Sequence, residues 1–318
     1  MSYSILGLVN TDKMLHDALV GNYAVPAFNF YNMETLTAIL SATHQTHSPV
    51  ILAVSESAIK YMGFNMLMGL ISGAMITPDQ QIALHLDHGS SYEACITAID
   101  MGFSSVMIDA SKLPLQQNIA LTRRVVEYAH KHNVSVEAEL GVLSGIEDEN
   151  TKSEYSSYTN PQDVVQFVSA TNVDSLAIAI GTSHGAYKRK SDNEALRFDI
   201  LDAVAQKLPN LPLVLHGASS IPENLVQTIN EFGGDMPNAR GISPEQLRHA
   251  TKRNICKINV DSDLRLAQTS AIRKYMAENP SDFNPRNYLN AGITAMTQIC
   301  IDEIKNIILK HFPNTWNF

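Results

Sequence analysis

Eight short apolar runs recur along the chain, and segments with helical spacing separate most of them. The runs are rich in Val, Ile, Leu and Ala and are nearly continuous rather than alternating. Such runs are typical of strands that are covered on both faces, as in a parallel sheet. The predicted strands are residues 23–30, 49–55, 82–88, 104–110, 134–140, 175–181, 211–217 and 254–260.

The helical segments carry their own start and stop signals. Asn32 suits the N-cap of the first segment, which has Leu36, Ile39 and Leu40 on one face, and Gly102 is a natural stop for the second. The predicted helices are residues 32–46, 91–102, 116–133, 160–171, 198–208, 221–234, 243–253, 262–278 and 291–311. The last two follow the final strand.

This alternation of strand and helix predicts an α/β fold, a (β/α)8 TIM barrel with extra C-terminal helices, in which residues 1–318 form a single domain. A doubly wound open sheet is the alternative, but it usually needs a glycine-rich turn after the first strand, and residues 28–34 contain no glycine. The polar segment 143–160 is too long for an ordinary strand–helix connection, and we expect it to be a mobile cover for an active site.

Composition narrows the class of protein. The chain has 318 residues, 45% of them hydrophobic, which fits a soluble enzyme with a large core. Its net charge of −9 argues against a nucleic-acid partner, so a phosphate site has to be built locally. The three cysteines lack a C-x-x-C spacing, and neither a signal peptide nor a long uncharged apolar run is present, so we expect a cytoplasmic protein without a membrane partner.

The active site of a TIM barrel lies at the C-terminal ends of its strands. In this sequence every predicted strand delivers polar groups there: Asn29, Ser55, Glu56, Asp87, His88, Asp109, Glu139, His184, His216, Asn259, Asp261 and Ser262. A lone histidine near a strand is more often a hydrogen-bonded core residue. Three at matching positions predict instead a metal centre, since three neutral imidazoles and an open fourth position form a catalytic zinc site.

Two details stay open from the residues alone. His85 and His88 compete for the first ligand position, because alternation places them on opposite faces until the strand ends at Gly89. Lys257 lies inside the last strand and resembles a Schiff-base lysine, but a packed or paired structural lysine is the preferred interpretation. The remaining histidines lie in helical patterns and are expected to face solvent.

Three segments predict a phosphorylated substrate. Gly185 allows backbone N–H groups to approach an anion, and Lys188 adds a positive charge. Gly217, with Ser219 and Ser220, follows the seventh strand, and Ser262 precedes a helix N-terminus after the eighth. Phosphate sites after strands 7 and 8 recur in these barrels.

The ordered segments PAFNF, LHLDHG, MIDAS, EAELG, GTSHG, LHGAS and NVDSD resemble the class II, zinc-dependent ketose-bisphosphate aldolases, and the shorter fructose-bisphosphate branch matches best. The resemblance covers nearly the whole chain. It implies that His88, His184 and His216 bind one catalytic zinc ion, with Asp109 and Glu139 at a secondary metal position. A monovalent cation is compatible with it.

The same resemblance assigns the remaining roles. It makes Asp87 the acid/base at the aldehyde-side hydroxyl and Glu147 the residue that moves the proton of the enediolate. The loop reads SGIEDE where many relatives have GGEED-like runs, so Glu147 is selected over Asp148 and Glu149 by alignment offset. The expected substrate contacts are Asn29, Ser55, Gly185, Lys188, Gly217, Ala218, Ser219, Asn259, Val260, Asp261, Ser262, Arg265 and Arg286.

The implied reaction is the reversible cleavage of fructose 1,6-bisphosphate to dihydroxyacetone phosphate and glyceraldehyde 3-phosphate in glycolysis and gluconeogenesis. Tagatose 1,6-bisphosphate is the alternative substrate, although residues 233–241 resemble fructose-specific relatives. More distant alternatives are a metal-dependent hydrolase or isomerase of a phosphorylated sugar and a non-catalytic binding protein. The long C-terminal helices, and an arginine such as Arg286 that reaches a neighbouring subunit, predict a homo-oligomer.

Overall fold

Eight parallel strands close into a barrel in the computed structural model, which describes residues 2–147, 151–153, 157–187 and 196–308. The barrel strands are β1 (Val25–Asn29), β2 (Val50–Ser55), β3 (Ile82–Gly89), β4 (Ser105–Ile108), β5 (Ser135–Leu140), β8 (Ser175–Ile178), β10 (Leu213–Leu215) and β11 (Ile255–Val260). Their order around the barrel is β1-β11-β10-β8-β5-β4-β3-β2, and β1 pairs with β2 to close it. The three other strands are β6 (Ser144–Glu147), β7 (Thr151–Ser153) and β9 (Ser183–His184).

Helices surround the barrel and follow its strands. They are α1 (Thr11–Gly21), α2 (Met33–Thr46), α3 (Glu56–Met62), α4 (Phe64–Gly73), α5 (Tyr92–Met101), α6 (Leu115–Ala129), α7 (Pro161–Thr171), α8 (Phe198–Lys207), α9 (Glu223–Glu231), α10 (Pro244–Ala250), α11 (Ser262–Glu278) and α12 (Pro285–Asp302). Short 3₁₀ turns occupy Tyr3–Leu6, Pro78–Gln80 and His130–His132, and a π-helix at Glu303–Ile308 continues α12.

The main core lies between the barrel wall and the helices, where Phe28, Phe103 and Phe167 are fully buried. The lumen of the barrel is different, because polar side chains from non-adjacent strands meet across it. At its N-terminal end the Thr11 hydroxyl lies 2.7 Å from that of Ser135. From there, hydrogen-bonded buried side chains lead toward the C-terminal mouth through Ser105, His85, Lys257, Glu137 and His216.

The sequence predicted all eight barrel strands, and the open-sheet alternative is wrong. Three helices were not predicted: α1, and the pair α3 and α4 between the second and third strands. The last helix begins at Pro285, six residues before the predicted residue 291, and its α-helical part ends at Asp302. The segment 143–160, expected as a loop, contains the antiparallel pair β6 and β7.

None of the helices in the described ranges combines the length and the apolar character that a membrane crossing needs.

Candidate active site

The end of β3 decides which histidine reaches the barrel mouth. The register between β3 and β4 shifts between Leu86 and Gly89, and His88 adopts the left-handed conformation with φ of 50°. This break in the strand ends the alternation that left the choice open, and it places His88 beside the other mouth histidines. His85 stays in the lumen, fully buried, with its Nδ1 2.8 Å from the hydroxyl of Ser105.

The three predicted histidine ligands converge. One ring nitrogen each of His88, His184 and His216 lies within 4.8 Å of the others. His88 Nε2 is 2.9 Å from His216 Nδ1, and the ring centroids of His88 and His184 are 5.1 Å apart. Burial, and then the neighbouring His88, lower the pKa of His216, so its imidazole is neutral at neutral pH and keeps a lone pair for a metal.

Two glycines allow His184 to sit against this pair. β9, which carries His184, pairs with β6 of the polar segment, and Gly145 lies opposite His184. A Cβ on Gly145 would lie 2.4 Å from the backbone oxygen of His184, and one on Gly217 would lie 2.7 Å from the backbone of Ser183. Both glycines also have positive φ, at 116° and 61°. Neither position therefore tolerates a larger residue without moving β9.

A buried carboxylate that is not among the predicted site residues, Glu137, is hydrogen-bonded to the outer nitrogen of His216. Glu137 Oε1 lies 2.7 Å from His216 Nε2, and Oε2 accepts a hydrogen bond of 2.7 Å from Lys257. Burial raises the pKa of Glu137, but Lys257 and His216 lower it more, so the net pKa lies well below its usual range. The sequence VEAEL could have indicated this role, because Glu137 lies two residues before Glu139 and therefore on the same face of β5.

Lys257 is thus a paired structural lysine, as predicted. Its ammonium group also lies 3.4 Å from His85 Nε2, and all three side chains, Lys257, Glu137 and His85, are about fully buried. Burial, followed by the charge of Lys257, lowers the pKa of His85 to about 3. His85 is therefore held neutral in the lumen.

The two predicted secondary ligands flank the outer nitrogen of His88. Asp109 Oδ2 lies 3.2 Å from His88 Nδ1, and Glu139 Oε2 lies 3.9 Å from it. His88, Asp109 and Glu139 form a second group that is close enough to hold an ion. Burial raises the pKa of Asp109, but hydrogen bonds from His88 and Ser111 together have the larger, opposite effect, so the net pKa lies below its usual range. The carboxylate is therefore ionised and orients the His88 ring.

Asp87 lies beside the histidines with both carboxylate oxygens occupied. Asn29 donates to Oδ2 at 2.7 Å, and Asn259 donates to Oδ1 at 3.0 Å. Burial raises the pKa of Asp87, but the charges of His88, His216 and Lys257 outweigh it, so the net pKa lies well below its usual range. The Oδ1 atom of Asn259 is buried and accepts no hydrogen bond, which leaves an acceptor beside the carboxylate.

The predicted phosphate segments meet at the ends of β10 and β11. The backbone N–H of Asp261 donates to the hydroxyl of Ser219 at 3.4 Å, and Ser262 is the first residue of α11. Gly185 has a φ of 83°, while Ala218 and Val260 are buried. Residues 233–241 lie next to the same region, because Arg240 donates its N–H to the carbonyl of Ala186.

The remaining predicted residues are more dispersed. Ser55 caps α3 by accepting from the N–H of Ala58. Arg265 donates to Asp261 at 2.9 Å and lies over the ring of Tyr31, whereas Arg286 is exposed near the start of α12 and donates to Asn284. Lys188, Asp148 and Glu149 lie outside the described residues. For Glu147 only the backbone, in β6, is described.

The donor set fits a zinc ion. Three imidazole nitrogens converge, and no thiolate is present among the described groups at the site. The outer nitrogen of His216 is hydrogen-bonded to Glu137, and that of His88 to Asp109. Three converging histidines, with outer nitrogens oriented by carboxylates as in His88 and His216, are a usual arrangement for catalytic zinc.

Comparisons with known proteins identify the family. A family model described as "Fructose-bisphosphate aldolase class-II" matches residues 9–310. The fructose-bisphosphate aldolase of Treponema pallidum is 46% identical over 325 aligned positions, which cover 96% of this chain and 98% of that protein. The fructose-bisphosphate aldolase of Giardia intestinalis is 48% identical and covers 92% of this chain and 90% of its own length.

Solved structures share the fold. The YdjI aldolase of Escherichia coli K12 superposes with a TM-score of 0.73 at 27% identity, over 94% of this chain and 97% of that one. A solved structure from Coccidioides immitis gives a TM-score of 0.75 at 25% identity, over 93% of this chain and 94% of that one.

Proposed function

The chain belongs to the class II fructose-bisphosphate aldolase family, a metal-dependent family of lyases, and we propose how its own residues perform the reversible cleavage of fructose 1,6-bisphosphate. His88, His184 and His216 would hold the metal, which we propose to be zinc, one ion per chain. Asp109 and Glu139 would orient His88 and offer a secondary position. The observation that carries the proposal is the convergence of three ring nitrogens beside an ionised, amide-bound Asp87.

Zinc, when bound, is a Lewis acid that polarises the ketose carbonyl and offsets the negative charge that cleavage leaves on the dihydroxyacetone phosphate half. Asp87 accepts the proton of the C4 hydroxyl as the C3–C4 bond breaks. Asn29 and Asn259 hold its carboxylate in place for that transfer. The carboxyl group of Glu147, a residue of β6, returns a proton to C3, the carbon of the dihydroxyacetone phosphate half that was bonded to C4.

Phosphate binding orients the reacting bond. Gly185, Lys188, Gly217, Ala218, Ser219 and Ser262 would bind one phosphate through backbone N–H groups, hydroxyls and the α11 N-terminus. Asn259, Val260 and Asp261 would contact the sugar hydroxyls, and Arg265 would bind the second phosphate together with Arg286 of a neighbouring copy. Ser55 and Asn29 complete the proposed substrate contacts. We propose a homo-oligomeric, single-domain enzyme of the cytoplasm.

A coupled triose-phosphate assay tests this proposal. The purified enzyme is given fructose 1,6-bisphosphate or tagatose 1,6-bisphosphate, each with and without a chelator. We expect triose phosphates from the fructose substrate, and their formation should stop on chelation and resume when Zn²⁺ or Co²⁺ is added. Faster turnover of the tagatose substrate would move the proposal to that epimer, and release of inorganic phosphate without triose phosphates would replace it with a hydrolase.

A further inference from the structure

A buried pair of carboxyl groups contacts the segment that follows β10. Asp263 is fully buried in the first turn of α11, and Glu303 is 4% exposed at the start of the π-helix that continues α12. Both carboxyl groups contact the hydroxyl of Ser220. The reaction described above uses neither of them.

Asp263 holds the backbone of this segment. Its Oδ2 accepts from the N–H of Ser220 at 2.7 Å, and its Oδ1 accepts from the N–H of Ile221 at 2.7 Å. Ile221 has a φ of 51°, a conformation that β-branched residues rarely adopt. Because this conformation is strained, it persists only where surrounding contacts hold it, and the carboxylate of Asp263 provides two of them.

The surroundings of the two carboxyl groups indicate that the pair carries a proton. The Ser220 hydroxyl lies 3.1 Å from Asp263 Oδ2 and 3.3 Å from Glu303 Oε1, and its one proton serves both. Glu303 Oε2 is buried and accepts no hydrogen bond. In the described part of the chain no ion pair joins either carboxyl to a cationic side chain. Two adjacent, unpaired carboxylates cannot both stay ionised in such surroundings.

Glu303 is the group that keeps the proton. Burial, and then the charge of Asp263, raise the pKa of Glu303 well above its usual range. Burial also raises the pKa of Asp263, but three hydrogen bonds from Ser220 and Ile221 and one from Glu303 oppose that rise. A neutral Glu303 can therefore donate to an Asp263 that remains an acceptor for the backbone.

We propose that Glu303 is a positioning residue for phosphate binding, and that its hydrogen bond to Asp263 holds residues 217–221 in the conformation that receives the substrate phosphate. This inference rests on the proposed phosphate role of that segment. It links the π-helix that continues α12 to the segment that follows β10. A second contact supports the segment from its other side, where Ile242 donates its N–H to the carbonyl of Ser219.

Replacing Glu303 with a donor and with a non-donor of similar size tests the inference. Glu303→Gln keeps a neutral hydrogen-bond donor, whereas Glu303→Leu removes it, and Asp302→Asn is a matched carboxyl-to-amide control on the exposed neighbouring residue. We expect E303L to raise the KM for fructose 1,6-bisphosphate by roughly tenfold while kcat changes by less than about threefold. E303Q and D302N should stay within about twofold of the wild type.

Amide hydrogen exchange supplies a readout that does not depend on catalysis. In E303L the Ser220 and Ile221 amides should exchange at least about tenfold faster than in the wild type, and in E303Q they should not. Glu303→Met, with a flexible side chain, replaces E303L if the latter does not fold. Unchanged amide exchange and KM in folded E303L, or in folded Glu303→Met, would overturn the inference. An increase in KM in E303Q as large as that in E303L would also overturn it. A wild-type enzyme that does not cleave the substrate would instead contradict the proposed function, while the exchange result would still decide the role of Glu303.

Discussion

At the scale of single residues, the sequence singled out Asp87, the proposed acid/base, but not the groups that hold it. Asp87 was placed at a strand end beside His88, whereas its amide partners Asn29 and Asn259 were expected to contact substrate. The structure shows that both donate to Asp87. These contacts join β1, β3 and β11 across the barrel mouth, and side-chain contacts between distant strands cannot be predicted from a single sequence.

The position of Asp87 leads to a kinetic prediction. Asp87→Ala should slow C–C cleavage by about 10²-fold or more, the scale of a general acid–base group, yet leave proton exchange of dihydroxyacetone phosphate intact. The reason is that exchange needs no proton transfer at the C4 hydroxyl. Cleavage by coupled assay and exchange by deuterium incorporation are measured on the same preparation. Loss of metal from the variant would mean that Asp87 supports the ligands instead.

Glu147→Ala provides the complementary case. If its carboxyl moves the proton of the enediolate, the variant should lose both cleavage and exchange by about 10²-fold or more. The same two assays measure it, with Asp148→Ala and Glu149→Ala as matched controls on the same segment. Normal exchange in the Glu147 variant, and its loss in one of the others, would reassign the loop acid.

His85 gives a prediction about stability and pH. Its pKa is about 3 in the folded protein and near 6.5 in the unfolded chain, so between these values the unfolded state binds more protons. The contribution of neutral His85 to the stability of the folded protein is therefore complete above pH 6.5 and is lost as the pH falls toward 3. In metal-free protein, His85→Gln should reduce the slope of the unfolding free energy against pH between 6.5 and 4.5 by up to about 1.4 kcal/mol per pH unit. Denaturant titrations at several pH values measure this slope, and an identical slope in both proteins would refute the assignment.

At the scale of secondary-structure elements, apolar patterning was sufficient for every barrel strand, because each strand is buried on both faces. It was insufficient for α3 and α4, which lie in one largely apolar segment with a break at Gly63. Gly63, with φ of 77°, both ends the first helix and precedes the second. Patterning also left the choice of His88 open, since a change to positive φ at a strand end leaves no trace in hydrophobic periodicity.

The close approach of β9 and β10 can be tested with one methyl group. Gly217→Ala places a Cβ 2.7 Å from the Ser183 backbone at a positive φ, so β9 and His184 have to move. We expect a loss of stability of about 1–3 kcal/mol together with weaker metal binding. Gly69→Ala, at an exposed position of α4 where the added atom meets nothing within 4 Å, is the control and should be neutral or stabilising. Thermal unfolding and metal competition with a chelator measure both effects, and a G217A enzyme with wild-type metal affinity would contradict this packing argument.

At the scale of the whole molecule, the long C-terminal helices and the proposed role of Arg286 predict an oligomer. Phe283, in the turn before α12, is 92% exposed, and Met276 on α11 is 46% exposed. Both lie near Arg286 along the chain, and exposed apolar side chains of this size are common at subunit contacts. Light scattering should show a dimer or tetramer. Phe283→Ser should shift the protein toward the monomer and raise the KM for fructose 1,6-bisphosphate. A fully active wild-type monomer at assay concentration would count against this prediction.

The most direct test of the account is a zinc titration of metal-depleted enzyme, with cleavage of fructose 1,6-bisphosphate followed at each addition. Activity should rise in proportion to added Zn²⁺ and level off at about one equivalent per chain, as expected for a single three-histidine site. His216→Ala should remain inactive throughout, while His44→Ala, at an exposed helical histidine, should titrate like the wild type. Full activity in the metal-free protein, or trapping of the substrate on Lys257 by borohydride, would contradict the central claim.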